Sequence, residues 1–289
     1  MRNETNYNLC DFQTVEKLLK KHSFAFSKTL GQNFLIDDYV CPEMAALLNS
    51  DEKTAVIEVG PGIGVLTKEL CKTSGKVISV ELDKRLYPIL EETLGEFDNF
   101  ELIEGDALKL DFNKLINEHL AGYNTIKFCA NLPYYITSEL IMKLLEEKAS
   151  ISEIVVMVQK EAAQRLCAQL GTRKTGAVTV AVKYYGEAEI LFEVGRESFM
   201  PSPKVDSAVI KITVNDDKKY PVGDEKKFFS LVRAAFAQRR KTLVNSVSSS
   251  LGIQKSDVAN ALNELSLNPN IRAEELTMED FVGLFDLLF

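Results

Sequence analysis

Residues 54–64, Thr-Ala-Val-Ile-Glu-Val-Gly-Pro-Gly-Ile-Gly, carry the information that decides the fold. Thr54–Val59 is a short apolar run, the turn Gly60-Pro61-Gly62-Ile63-Gly64 follows at once, and Gly62–Cys71 has helical periodicity. A buried strand that passes through a glycine-rich turn into a helix opens a parallel βαβ unit. The same alternation continues downstream. Lys76–Glu81 reads as a strand and Lys84–Leu94 as a helix; Phe100–Glu104 is a third strand; Lys127–Ala130 a fourth, before a helix over Ser138–Glu146; Ile154–Gln159 a fifth, before a helix over Glu161–Gln169. Short apolar strands spaced by amphipathic helices predict an α/β fold with a mainly parallel sheet covered on both faces. Ala188–Val194 and Val205–Val214 have no helix between them and read as a hairpin at the sheet edge.

Outward from this core the pattern changes. A polar start leads into a short helix over Thr14–His22 and a loop from Phe24 to Phe34 around Gly31, and Asp37 or Asp38 is placed to cap a helix through Leu48. At the other end, Asn215-Asp216-Asp217-Lys218-Lys219-Tyr220-Pro221 is a polar linker. Only helical periodicity follows, over Asp224–Gln238, Thr242–Leu251, Lys255–Leu265 and Glu274–Leu288. The expected organisation is an N-terminal extension (1–23), an α/β catalytic domain (24–215) and a small all-helical C-terminal domain (216–289).

Several function classes drop out. No apolar run approaches the roughly 18 residues of a membrane helix, and the polar N-terminus lacks a signal-peptide core. The five cysteines are scattered, with no CxxC pair, and only two histidines are present, so neither a metal site nor a disulfide framework is expected. Reduced thiols of a cytoplasmic protein fit better. There is no GxxxxGK[ST] loop and no GxSxG elbow. The formal charge of −8 argues against a nucleic-acid partner until it is resolved by segment. Residues 81–125 hold 11 acidic and 4 basic side chains, residues 159–255 hold 10 acidic and 17 basic, and residues 256–289 hold 7 acidic and 1 basic. The expectation is a polarised molecule, with a basic face around Asn131.

The glycine turn has the spacing G-x-G-x-G, and the third glycine of the dinucleotide fingerprint would fall on Val65. Close backbone approach without a phosphate cradle suits a phosphate-free cofactor such as S-adenosylmethionine. A tight turn with no ligand would use the same glycines, so the strand ends carry the argument. Glu81 closes the second strand, 21 positions after Gly60, where an acid can accept from ribose hydroxyls. Asp106, just past the third strand, is placed to accept from an adenine amino group. The fourth strand ends in Asn131-Leu132-Pro133-Tyr134-Tyr135. An exocyclic adenine amino group is a poor nucleophile because its lone pair is delocalised. The Asn131 carbonyl and a main-chain carbonyl can accept its two N–H bonds and aim that lone pair at a methyl donor. Pro133 stiffens the turn and Tyr134 can stack on a base.

These motifs, together with Leu30-Gly31-Gln32-Asn33-Phe34-Leu35, Gly105-Asp106 and Phe199-Met200-Pro201-Ser202-Pro203-Lys204-Val205-Asp206-Ser207, resemble the KsgA/RsmA family of small-subunit ribosomal RNA adenine N6,N6-dimethyltransferases. The resemblance runs from about Phe24 to the C-terminus, with the motifs in the family's order. It implies a Rossmann-like class I S-adenosylmethionine-dependent methyltransferase fold. By resemblance, Asn33 and Leu35, with Gln32 beside them, line the cofactor site; Gly60 and Gly62 touch the cofactor; Glu81 holds its ribose and Asp106 its adenine; Asn131 faces both cofactor and target. The Leu132 carbonyl is the second acceptor, and Tyr134 and Phe199 sandwich the target adenine. Lys204 and the cluster Arg239-Arg240-Lys241 are expected to hold backbone phosphates.

The implied activity is dimethylation of two adjacent adenosines in the hairpin loop near the 3′ end of 16S rRNA. It would act within an assembling small ribosomal subunit, as a monomer, in the cytoplasm, with no metal and no membrane. The sister family that methylates 23S rRNA typically has Asn-Ile-Pro-Tyr, where this chain has Leu132. Ser27-Lys28-Thr29 departs slightly from the usual pattern. Two other readings are a nicotinamide-dependent oxidoreductase, disfavoured by the missing third glycine, and an RNA-gripping assembly factor without activity, disfavoured by the intact donor and acceptor motifs.

Overall fold

The structure, a computed structural model, describes residues 7–27, 29–215 and 219–289. The first six residues of the expected N-terminal extension, Lys28 of Ser27-Lys28-Thr29, and Asp216, Asp217 and Lys218 of the linker lie outside the described residues. In chain order the helices of the first part are α1 (Phe12–Lys21), α2 (Val40–Leu47), α3 (Val65–Thr73), α4 (Tyr87–Leu94), α5 (Phe112–His119), α6 (Thr137–Glu146), α7 (Lys160–Leu166) and α8 (Ala177–Tyr185). The strands are β1 (Phe34–Leu35), β2 (Thr54–Val59), β3 (Lys76–Glu81), β4 (Phe100–Glu104), β5 (Thr125–Asn131), β6 (Glu153–Gln159), β7 (Gly186–Val194), β8 (Phe199–Met200) and β9 (Ser207–Val214). Four more helices complete the chain: α9 (Glu225–Phe236), α10 (Leu243–Leu251), α11 (Lys255–Glu264) and α12 (Met278–Leu288).

Seven strands form one sheet in the order β4-β3-β2-β5-β6-β9-β7. β2 pairs in parallel with β3 on one side and β5 on the other; β3–β4 and β5–β6 are also parallel, and β9 runs antiparallel to β6. This is the doubly wound α/β arrangement predicted by the alternation, with β9 inserted between β6 and the edge strand β7. The central strands are apolar because both their faces are covered: every residue of β2 is buried. A separate two-stranded ribbon joins β1 to β8, with Leu35 opposite Phe199 and Phe34 opposite Met200.

Close packing divides the chain into two units. One runs through Ala163 and resumes over Glu189–Val214; the other comprises Gln164–Ala188 and Asn215–Phe289. Two features of this division differ from the sequence expectation. First, α1 buries Val15, Leu18 and Leu19 in the same apolar cluster as Leu35, Met44 and Phe199. The stretch expected as an extension therefore supplies core to the catalytic unit. Its start is set by Asp11, whose carboxylate accepts from the Thr14 N–H at 2.8 Å. Second, residues 164–188 group with the C-terminal helices. The helix α8, Ala-Val-Thr-Val-Ala-Val-Lys-Tyr-Tyr, was not expected, because β-branched residues are poor helix formers. Packing overrides that preference: Tyr184 lies 5.3 Å from the rings of both Phe228 and Phe229, and Tyr185 stacks on Phe229 at 5.3 Å. Phe285 joins the cluster against Phe228 at 5.8 Å. The helix α5, capped by Asp111 and packed through Phe112 on Phe128, was also unexpected.

The aromatic cluster predicts where the second unit is most sensitive. Phe228 is fully buried, so Phe228→Ala should destabilise that unit by about 3–5 kcal/mol, measured by denaturant unfolding.

Candidate active site

In an open parallel sheet, ligands bind beyond the carboxyl ends of the strands where the winding reverses. Here that point lies between β2 and β5. A cavity of about 260 Å³ occupies it. All eight residues expected around a cofactor border the cavity: Gln32, Asn33, Leu35, Gly60, Gly62, Glu81, Asp106 and Asn131. So do Leu132, Pro133, Tyr134 and Phe199. Residues separated by more than 160 positions are thus drawn into one space. Lys204 is exposed and is not among the lining residues, and Arg239, Arg240 and Lys241 are exposed in the other unit.

The glycine turn is built from left-handed backbone. Gly62 has φ +60°, and a Cβ there would sit 3.1 Å from the Phe34 ring; Gly64 has φ +92° and opens α3. Glu81 is 6% exposed, and its Oε1 accepts from the Asp83 N–H at 2.7 Å. Burial pushes its carboxyl up to about 7, although backbone N–H groups of Asp83, Leu82 and Gly62 pull the other way. Asp106 is partly exposed; its Oδ1 accepts from the Leu108 N–H at 3.0 Å, and Lys109 lies 3.4 Å from Oδ2.

The Asn131 side chain makes no hydrogen bond among the described residues. Its backbone is held in register opposite Met157, whose carbonyl accepts the Leu132 N–H at 3.1 Å. The Pro133 carbonyl accepts from the Ile136 N–H at 3.2 Å, which closes the turn. Tyr134 is half-buried, with its hydroxyl 2.8 Å from the Ser207 hydroxyl. Phe199 is 4% exposed and backs the cavity through the β1–β8 ribbon. Gln32 differs from its neighbours, because both ends of its amide are engaged within the protein: Nε2 donates to Asp83 at 2.8 Å and Oε1 accepts from the Ser27 N–H at 2.8 Å.

The electrostatics are one-sided. Among the described residues, the lining contains the carboxyl groups of Glu58, Glu81 and Asp106 and no Lys, Arg or His. Such a space favours a cationic ligand and offers a pyrophosphate no cationic side chain among the described residues. The expected basic face around Asn131 is therefore not found in the cavity lining itself.

Sequence reasoning missed Glu58, Leu82 and Tyr135. Glu58 had a readable signal, a carboxyl inside an apolar strand. It is 1% exposed, and its Oε2 accepts from Thr67 at 2.7 Å and Ser79 at 2.6 Å, tying β2 to α3 and β3. Leu82 and Tyr135 border the cavity while remaining exposed, which nothing in their residue type announces.

Burial also raises the Glu58 carboxyl to about 7, against the hydroxyls of Ser79 and Thr67. The sign follows directly. The unfolded chain ionises this group near the ordinary carboxyl value of 4.5, the folded protein only near 7, so its contribution to stability falls as pH rises across that window. Glu58→Gln should leave stability nearly unchanged at pH 4 and raise it by about 1–3 kcal/mol at pH 8, measured by thermal unfolding at both values.

Comparison with known proteins agrees with this geometry. The family model described as ribosomal RNA adenine dimethylase matches residues 23–289. The chain is 43% identical over 277 residues to the ribosomal RNA small subunit methyltransferase A of Geobacillus sp. (strain WCH70), covering 95% of each chain. It is 45% identical over 268 residues to the protein of that name from Alkaliphilus oremlandii (strain OhILAs), covering 92% of this chain and 93% of the relative. Among solved structures, a dimethyladenosine transferase from Plasmodium falciparum superposes with a TM-score of 0.69 at 26% identity, over 87% of this chain and 95% of that one. The 23S rRNA methyltransferase ErmE superposes with a TM-score of 0.63 at 26% identity, over 89% and 99%. The fold is the class I methyltransferase fold. With the whole sheet and the C-terminal helices inside the match, the chain belongs to the ribosomal RNA adenine dimethylase family and is an S-adenosylmethionine-dependent rRNA adenine dimethyltransferase.

Proposed function

We propose that this enzyme methylates N6 of two adjacent adenosines, twice each, in the 3′-terminal hairpin loop of 16S rRNA within an assembling small ribosomal subunit. We further infer that it works as a monomer, without a metal, in the cytoplasm. The curated relatives named for the small subunit are 43–45% identical over nearly the whole chain, against 26% for the 23S enzyme, and Leu132 in Asn-Leu-Pro-Tyr agrees with that choice. Among the described residues no helix is long and apolar enough to cross a membrane.

The observation that carries the reading is the uncommitted Asn131 amide at a proline-stiffened strand end, beside a cavity rich in carboxylates. S-adenosylmethionine fits that cavity: it is cationic, needs no phosphate cradle and, when bound, supplies the methyl group on its sulfonium. Glu81 accepts from the ribose hydroxyls, Asp106 from the adenine amino group, and Gly60 and Gly62 allow close approach. Asn33 and Leu35 cover the ligand from the N-terminal side; Gln32, whose amide is already engaged, holds the loop that carries them. On the target side, Asn131 Oδ1 and the Leu132 carbonyl accept the two N6–H bonds. Both acceptors stay neutral, so neither acts as a strong base; they orient the lone pair. Tyr134 offers its ring to the extruded base, stacking worth about 1–3 kcal/mol, and Phe199 supports that pocket from behind. The base has to leave its stack first, which is easiest in a loop.

Lys204, Arg239, Arg240 and Lys241 are exposed and form no ion pair among the described residues, which suits phosphate contact. The segment Gln238–Lys241 is anchored to α10: the Gln238 N–H donates to Ser246 Oγ at 3.1 Å and Gln238 Nε2 to Ser249 Oγ at 3.1 Å.

Incubating unmethylated small subunits with enzyme and cofactor should yield N6,N6-dimethyladenosine in the 3′ hairpin, read by nucleoside mass spectrometry; its absence would overturn the assignment. Asn131→Ala should lower the rate by about 10²–10³-fold with an unchanged melting temperature. Arg239→Ala and Arg240→Ala should each weaken RNA binding and reduce the slope of log affinity against log salt by about 1; an unchanged slope would remove them from the phosphate contacts.

A further inference from the structure

Leu30–Leu35, at the end of the arm that begins at Phe24, supply one wall of the cavity outside the parallel sheet. We propose that Asp83 and Arg85 are positioning residues that latch this arm over the cofactor, an inference that rests on reading the cavity as the S-adenosylmethionine site. Asp83 is 7% exposed, and both of its carboxylate oxygens are bound. Gln32 Nε2 donates to Oδ2 at 2.8 Å; Arg85 donates through Nε to Oδ1 at 2.8 Å and through Nη2 to Oδ2 at 2.6 Å. Arg85 also reaches the arm directly. Its Nη1 donates to the Ala25 carbonyl at 3.2 Å, and the guanidinium lies 5.1 Å from the centre of the Phe24 ring. A planar, multi-donor fork is suited to holding a carboxylate, a carbonyl and a ring together, which an ammonium is not.

The latch is wired to the binding residues at both ends. The Asp83 N–H donates to Glu81 Oε1 at 2.7 Å, so the carboxylate proposed for the ribose and the carboxylate that holds the arm are set by one turn of backbone. Past Gln32, the arm continues into Asn33 and into β1, where Phe34 faces Gly62 and Leu35 pairs with Phe199. Releasing Gln32 and Ala25 would free the near half of the wall while its far half stays paired. Cofactor affinity should then fall while the bound geometry, once reached, remains competent.

The experiment uses the full-length enzyme. Binding of S-adenosylmethionine is measured by calorimetry and steady-state rates on unmethylated small subunits, for Arg85→Ala, Arg85→Lys and Asp83→Asn. Amide hydrogen exchange over residues 24–35 is followed without cofactor. The expected result for Arg85→Ala is a cofactor Kd and KM raised about tenfold, kcat at saturating cofactor unchanged within about twofold, and faster exchange in the arm. Arg85→Lys, which keeps the charge and the fold, should restore only part of the affinity. Unchanged affinity despite a loosened arm would overturn the proposal, as would a fall in kcat at constant KM. If the wild-type enzyme bound no S-adenosylmethionine, the reading of the cavity would fail instead, and arm exchange would still report whether Arg85 holds the segment.

Discussion

Everything at the site depends on the parallel pairing of β2 with β3 on one side and β5 on the other. That pairing aligns the carboxyl ends of the strands, so the glycine turn after β2, Glu81 at the end of β3, Asp106 beyond β4 and Asn131 at the end of β5 open onto one space. A slip of one residue would turn each of these side chains to the opposite face. Because β2 is buried on both faces, apolar burial holds it at the centre of the sheet, while the Glu58 bonds to Thr67 and Ser79 are specific to the observed register.

The second constraint is electrostatic. Three carboxyl groups border a cavity that is lined by no basic side chain among the described residues. Burial pushes two of them, Glu58 and Glu81, up to about 7. A cation entering that space favours their ionised forms, so a positively charged cofactor and the two acids stabilise one another. Glu58 carries the structural share of this arrangement. It ties the strand before the glycine turn to the helix after it through Thr67 and to β3 through Ser79.

The target side has a different logic. The Asn131 side chain has no hydrogen-bond partner among the described residues, while the groups around it are all fixed: Leu132 by Met157, the turn by Pro133, and Tyr134 by Ser207. An acceptor that must orient a weak nucleophile gains from this contrast, because the bonds that would otherwise satisfy its amide remain for the substrate.

The sequence by itself determined the α/β class, the five parallel strands, the C-terminal helices and the strand-end motifs that border the cavity, though not Glu58, Leu82 or Tyr135 beside them. Those features follow from local periodicity and from motifs that lie at strand ends, where chemistry and secondary structure are encoded together. What only the tertiary structure decided is what depends on partners distant in the chain. The helix over Ala177–Tyr185 is made by aromatic packing on Phe228 and Phe229 against its own β-branched composition. Residues 12–21 are core because their apolar face meets side chains far along the chain. Gln32 turned out to hold Asp83, 51 positions away, a contact that no spacing rule predicts. The sheet order and the sign of the cavity's charge belong to the same class, since they arise from which strand ends meet and not from the composition of any one of them.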